Sequence, residues 1–359
     1  MIFIIIITLV ALIIIHELGH FIAAKKLGVK VEEFGLGYPP KIWGKKIGET
    51  LYSLNLIPFG GFVKIYGQEQ AAKEPGSFSE KPFWKKSIII LGGVFSFWVV
   101  SAIALSIVMA IGSPTVIDDR AEGSGISEPK IQIIGITQGS PAFEAGLKPG
   151  DIIRQIEAGG QKFEIDKVGQ VQEIAKANSG LQITLDIQRG GEFFEKNLKV
   201  RDSYPEGEGP MGISLVRTAL KKYPWYEAPI KGLQDTARLT VLIVESWIMV
   251  FSNLFSTGSL PAGVEVTGII GIFDLFSQAG GLGLSYFLQF VGLIAVHLAL
   301  INSLPIPALD GGWFMFLVIE KIKGHPLNQN VVQKVSGAFF FLLVALMVWV
   351  TVRDIIRIF

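Results

Sequence analysis

The chain has 359 residues, half of them hydrophobic, with a net charge of +1 and no cysteine; its mean hydropathy is +0.49. That balance excludes a nucleic-acid binder and points to a membrane protein. The lack of cysteine excludes disulfides and thiolate metal sites, leaving His, Asp and Glu as the metal ligands on offer.

The first predicted element covers residues 2–24, apolar except for Thr8, His16, Glu17 and His20. About 20 apolar residues, rising 1.5 Å each, cross a bilayer core, so a spanning helix is expected. A signal peptide would want a basic start and a shorter apolar run, whereas here Met1 leads directly into isoleucines. Ionisable groups at such depth are costly and by default functional. His16 and His20 lie four residues apart, so they share one helix face about 6 Å apart along the axis. Such a pair can bind one metal ion, most often zinc, and Glu17 beside it can take a proton from attacking water. A metal also offsets the cost of burying these groups.

The next stretch is rich in lysine: Lys25, Lys26, Lys30, Lys41, Lys45, Lys46, Lys64, Lys73, Lys81, Lys85 and Lys86. It contains "GLGYPPKIW" (35–43) and "YSLNLIPFGGFVKIYG" (52–67), the second reading as two short strands around Pro58, Phe59, Gly60 and Gly61. The plain alternative for that pair is an ordinary hairpin. A second span is expected at 87–111, followed by a polar region to about residue 238. Within it, "GSPAFEAGLKPGDIIRQIEAGG" (139–160) reads as a helical turn opened by Ser140-Pro141-Ala142, a stop at Gly146, and a Pro149-Gly150-Asp151 turn into a strand. A helix at 168–177 and two more strands follow. This region resembles a PDZ domain, a fold that holds an extended peptide on a sheet edge; the alternative is a β-rich spacer.

Residues 239–255 are apolar but carry Glu245, Ser246 and Asn253, so an amphipathic helix lying against the membrane is expected. Further spans are predicted at 284–304 and 336–352. Lysine-rich loops stay in the cytoplasm, and Lys321, Lys323 and Lys334 between the last two spans agree with the first lysine-rich loop if four segments cross. A crossing by 239–255 would put the two loops on opposite faces. Between those last spans lies "INSLPIPALDGG" (301–312), whose prolines end the regular helix. Irregular backbone at membrane depth must be buried in protein or face water. Asp310 is its one carboxylate. As a ligand it completes two His and one Asp, leaving a fourth position open in the catalytic manner; as the alternative it caps the following helix.

Taken together, His16-Glu17-x-x-His20, the PDZ-like region and Asn302-x-x-Pro305-x-Pro307-x-Leu309-Asp310-Gly311 resemble the site-2 protease family, and within it the bacterial RseP-type intramembrane zinc metalloproteases. The resemblance implies Zn2+ held by His16, His20 and Asp310, Glu17 as general base and acid, and Asn302 on the substrate backbone or oxyanion. It also implies a membrane-re-entrant β-loop whose Phe59, Gly60 and Gly61 meet an extended substrate. Two departures stand out. Ser96 takes the place of a substrate-contacting asparagine, and only one PDZ domain fits where RseP has two.

The expected architecture is a polytopic α-helical membrane protein. It has about four transmembrane helices, a re-entrant β-loop and an extracytoplasmic β-rich PDZ domain. The expected segments are 1–111, 112–205, 206–282 and 283–359. The expected function is hydrolysis of single-span membrane proteins, of anti-sigma-factor or remnant-signal-peptide type, after prior external cleavage, at the bacterial cytoplasmic membrane. Two rival readings are a membrane PDZ adaptor with a structural metal and a metal transporter. His297 reads as a packing residue and His325 as surface.

Overall fold

The computed structural model describes residues 2–68, 72, 74–120, 126–205, 207–259, 261 and 268–358, apart from the side chains of 58, 59, 126–128, 357 and 358. In chain order the elements are α1 (Ile2–Lys26), β1 (Val31–Ile47), β2 (Thr50–Ile65), α2 (Phe83–Ile111), β3 (Ser113–Ile117), β4 (Ile126–Ile136), α3 (Pro141–Glu144), β5 (Ile152–Ala158) and β6 (Gln161–Glu164). They continue with α4 (Val168–Ala177), β7 (Gln182–Arg189), β8 (Glu192–Lys199), β9 (Ile213–Lys221), α5 (Ala228–Thr257), α6 (Ile269–Leu282), α7 (Leu284–Ser303), α8 (Asp310–Lys323) and α9 (Gln329–Ile358). They group into two units. One comprises 1–104, 233–273 and 291–359; the other comprises 105–232 and 274–290.

In the first unit, the register of the two long strands brings residues 33–36 against 61–64 on one side and against 51–54 on the other, while 43–47 pair with 50–54. The 52–67 segment is therefore part of a broader sheet rather than a pair of short strands by itself. The helices pack through two apolar clusters. Leu12 of α1, Val94 and Phe97 of α2, and Ala295 and Ala299 of α7 form one. Ala24 and Val29, Ile89 and Ile90, and Leu317 of α8 with Trp313 and Phe314 form the other. Passing from the first cluster to the second advances along α1 from Leu12 to Ala24 and along the α7–α8 segment from Ala295 to Leu317. Hence α7 runs parallel to α1, and α2 runs against both.

α5 is longer than the stretch 239–255 expected from sequence, because it begins in the amphipathic run "APIKGLQDTAR", which hydropathy alone reads as polar. It also packs along α2. Thr236 meets Ser101 at 3.3 Å, and Thr240 accepts a 3.2 Å hydrogen bond from the Trp98 indole, so α5 lies lengthwise and antiparallel against α2. Among the described residues five helices are long and apolar enough to cross a membrane: α1, α2, α5, α7 and α9. By length and composition, α5 joins the four segments expected to span.

In the second unit, six strands run in the order β3-β9-β4-β5-β7-β8, with β6 on β5. Alternation explains the burial: Ile183, Leu185 and Ile187 of β7 all turn inward at period two, against Val171 and Ala175 from one face of α4. Ser140 caps α3, its hydroxyl accepting from the Phe143 N–H at 3.2 Å. The sheet extends past the expected boundary at 205. The Gly- and Pro-rich stretch after residue 205 is a turn, not a linker, and it returns the chain as β9 between β3 and β4. Asp119, just beyond β3, accepts the Val168 and Gly169 N–H groups at the start of α4 (3.0 and 2.9 Å).

Candidate metal centre

Four residues of spacing on α1 stack the rings of His16 and His20 edge to face, their centroids 4.8 Å apart. The Nδ1 of His20 lies 2.9 Å from the Ile89 carbonyl. A carbonyl can only accept, so Nδ1 carries the proton and the Nε2 lone pair faces the site. Phe97 stacks on His16 at 4.7 Å between centroids and 16° between planes, fixing that ring as well.

Asp310 is the first residue of α8, preceded by Leu309 as N-cap, and no side-chain capping bond is made there. The cap alternative is thereby set aside. Its position follows from the two glycines after it. A Cβ on Gly311 would sit 2.3 Å from the Ser303 and Leu304 carbonyl oxygens, and one on Gly312 would sit 2.1 Å from the Ile306 oxygen. Only glycine lets the proline-broken turn fold this closely onto the helix start.

The Asp310 Oδ2 stands 3.3 Å from both histidine Nε2 atoms, and those atoms stand 3.4 Å from each other. Zinc bonds of about 2.0–2.1 Å in a tetrahedron put ligand atoms about 3.3–3.4 Å apart. The triangle therefore has the edge that a tetrahedral zinc ion requires. Oδ2 of Asp310 is buried without a hydrogen-bond partner, an arrangement that costs stability unless a cation sits there. No other group of three candidate ligands converges among the described residues.

α2 makes the space. A Cβ on Gly93 would lie 2.2 Å from His20 Nε2, and one on Gly19 would lie 2.3 Å from the Gly92 carbonyl oxygen. Small residues thus let α1 and α2 touch backbone to backbone, as helices in lipid commonly do, and leave room for the imidazole. Sequence reading missed Gly93, Phe97 and the Ile89 carbonyl, whose roles depend on which helix faces α1. The one available signal was the glycine pair inside an otherwise bulky span.

Glu17 is beside the sheet. A Cβ on Gly61 would be 3.3 Å from its Cγ, and the Val63 N–H and Tyr38 also face it. Gly60 sits at φ +115°, a conformation open to glycine; the Phe59 side chain lies outside the described residues. The Ser96 hydroxyl donates to the Gly93 carbonyl at 2.6 Å, and the Asn302 amide donates to the Leu298 carbonyl at 2.9 Å. Both are thus tied to their own helices. His297 bonds similarly to Leu293 and packs near Trp247, while His325 is exposed.

The model of peptidase family M50 matches residues 4–346. The chain belongs to peptidase family M50, the site-2 protease family. It is 34% identical to a Clostridium perfringens protein named a zinc metalloprotease, over 96% of each chain. A Clostridium acetobutylicum protein with the same style of name is 30% identical, over 96% of this chain and 94% of the relative. The regulator of sigma E protease of Haemophilus influenzae is 27% identical, over 98% of each. This M50 protein is accordingly a zinc metalloprotease. It is a multi-pass membrane protein with several helices able to span and a β-rich part.

Proposed function

We propose that this M50 protease hydrolyses peptide bonds of single-span membrane proteins inside the bilayer, with Glu17 moving the proton and the β2 edge holding the substrate. The observation that carries this is the position of Gly61: among the described residues, strand residues 61–64 pair with β1 on one side only and bring a side-chain-free position against Glu17. A peptide bond inside a helix is shielded, whereas one added as a strand to an edge is extended and accessible. Zinc, held by His16, His20 and Asp310, supplies a Lewis acid at that place. Glu17 takes the proton from attacking water and gives it to the leaving amine. Gly60 and Gly61 keep the edge open, whereas Asn302 and Ser96 are bonded to their own helices. Regulated intramembrane proteolysis, of an anti-sigma factor or a remnant signal peptide, fits the relative named regulator of sigma E protease.

The fold also supports the parity argument. With α7 parallel to α1, the chain leaves α2 and enters α7 at the same membrane face, so the segment between them crosses an even number of times. α6 has 14 residues, about 21 Å of helix, too short to cross. On that parity α5, which packs beside α2, does not cross alone. On this reading the lysine-rich loop and the β1–β2 sheet are cytoplasmic and the PDZ-like domain is outside the cytoplasmic membrane, in keeping with the preference of positive loops for the cytoplasm.

Purified, zinc-loaded protein incubated with single-span substrates tests the reaction. The new termini, mapped by mass spectrometry, are expected within the apolar segment. Cuts confined to residues outside it would refute the reading. Single cysteines at Lys45, Glu164 and Lys323 test the topology in intact cells: an impermeant thiol reagent should label only the one at 164. Labelling at 323 but not 45 would mean that α5 crosses alone.

A further inference from the structure

A cavity of ≈ 390 Å³ lies away from the metal site, between the start of α2, the end of α8 and the start of α9. Its walls are apolar and aromatic, with Phe78, Phe83, Trp313 and Phe316 among them. Two lysines border it from different helices. Lys86 Nζ stands 5.7 Å over the Phe78 ring and Lys321 Nζ stands 4.3 Å over the Phe83 ring. Among the described residues neither lysine forms an ion pair. The one carboxylate in the lining, Glu320, accepts the Leu327 N–H on its Oε1 at 3.0 Å. Gln329, also in the lining, has an Oε1 that is buried without a hydrogen-bond partner.

This combination selects a ligand. The cavity lies at the ends of apolar helices, at the lysine-rich membrane face, where headgroups rather than acyl tails are found. Two ammonium groups held over aromatic rings call for an anion, and the apolar walls call for an attached hydrocarbon. The buried acceptor calls for a hydroxyl or ammonium on the same molecule. Basic pockets between helices at this depth suit lipid phosphates. We propose that the cavity is a binding site for one anionic phospholipid of the phosphatidylglycerol type. Its phosphate sits between Lys86 and Lys321, and its glycerol hydroxyl donates to Gln329.

The test uses the full-length, zinc-loaded protein in detergent, titrated with phosphatidylglycerol or phosphatidylcholine and read by native mass spectrometry. One tightly held phosphatidylglycerol is expected, with phosphatidylcholine much weaker. Lys86→Gln combined with Lys321→Gln should weaken it roughly thirtyfold, the weight of two lysines at an anionic surface. Gln329→Leu should weaken phosphatidylglycerol while sparing phosphatidic acid, which has no headgroup hydroxyl. Lys25→Gln with Lys323→Gln, outside the cavity, should change little. An equal loss in that control would mean general surface attraction and overturn the site, as would unchanged binding in the first pair. Free glycerol 3-phosphate competing at the same concentration as the lipid would overturn the lipid assignment in favour of a soluble phosphate. Zinc content reports folding. If the double variant loses zinc, Lys321→Gln alone, on an exposed side chain, should still show a roughly fivefold loss, and no loss there rejects the proposal.

Discussion

Asp151 and Asp310 each stand at the entry to a regular element, and the chain surrounds them in opposite ways. Asp151 leads into β5 and is fully buried. Both of its oxygens are used: the Arg189 guanidinium donates to them at 2.6 and 2.8 Å, and the Lys148 N–H adds a third bond at 2.8 Å. In return the carboxylate holds the Arg189 pKa above its ordinary value. Asp310 leads into α8 and has two imidazole nitrogens at 3.3 Å, no guanidinium or ammonium, and one buried oxygen with no hydrogen bond. The first arrangement is closed by the chain itself and stabilises the fold. The second leaves an oxygen open to a cation, in keeping with the proposed role of Asp310 as a zinc ligand. Sequence composition cannot separate the two, since each is an aspartate beside glycine and proline.

The same substitution at both positions should split along this line. Asp310→Asn is expected to abolish zinc retention under a mild chelator, and cleavage with it, while leaving thermal unfolding of the β-rich domain unchanged. Asp151→Asn should keep zinc and lower the stability of that domain by about 2 kcal/mol, because it weakens charge-assisted hydrogen bonds to a partly exposed guanidinium. Metal analysis and a melting curve on each variant decide the matter. Equal zinc loss in both would mean that Asp310 acts only through folding.

Glu17→Gln sharpens the comparison from the other side. The amide has nearly the same shape but cannot take a proton. Zinc content should stay at the wild-type level while the cleavage rate drops about 10²–10⁴-fold. Zinc loss instead would make Glu17 a ligand rather than the proton carrier.

How much of this was open to sequence reading follows from the range of each signal. The His16-Glu17-x-x-His20 helix rests on contacts within one turn, and Asp310 stood out as the only carboxylate in a proline-broken apolar segment. The PDZ-like turns at Ser140 and Asp151 are equally local. What stayed hidden is non-local. Gly93 matters because α2 happens to face His20, and no pattern within α2 says so. The strand at 43–47 lies beyond two prolines and among lysines, which read as loop; pairing with 50–54 overrides that preference. β9 joins the sheet only because β3 and β4 leave a gap for it.

Gly93→Ala tests one such hidden contact. The added methyl would sit 2.2 Å from His20 Nε2, so the imidazole must turn or the helices must part. Zinc affinity should drop about 10–100-fold, in the range of lost support around a metal ligand. Gly48→Ala is the control, since nothing lies within 4 Å there, although its φ of +60° adds backbone strain of about 1 kcal/mol. A similar zinc loss in both would point to general destabilisation.

Ser96→Ala carries the smallest expected effect. Its hydroxyl donates to the Gly93 carbonyl three residues back, at 2.6 Å, so in this structure it serves the helix. Alanine loses that bond but gains helix propensity, and the two terms oppose each other at roughly 0.5 kcal/mol apiece. Zinc content and the cleavage rate should therefore both stay within about twofold of wild type. A substrate that bonds to Ser96 must first take its hydrogen from Gly93, and the variant would then lose cleavage with zinc intact. A loss of cleavage beyond about tenfold, seen as a raised KM with unchanged metal content, would identify Ser96 as a substrate contact. Retained cleavage would confine the hydroxyl to α2, and substrate recognition would fall to the β2 edge beside Glu17.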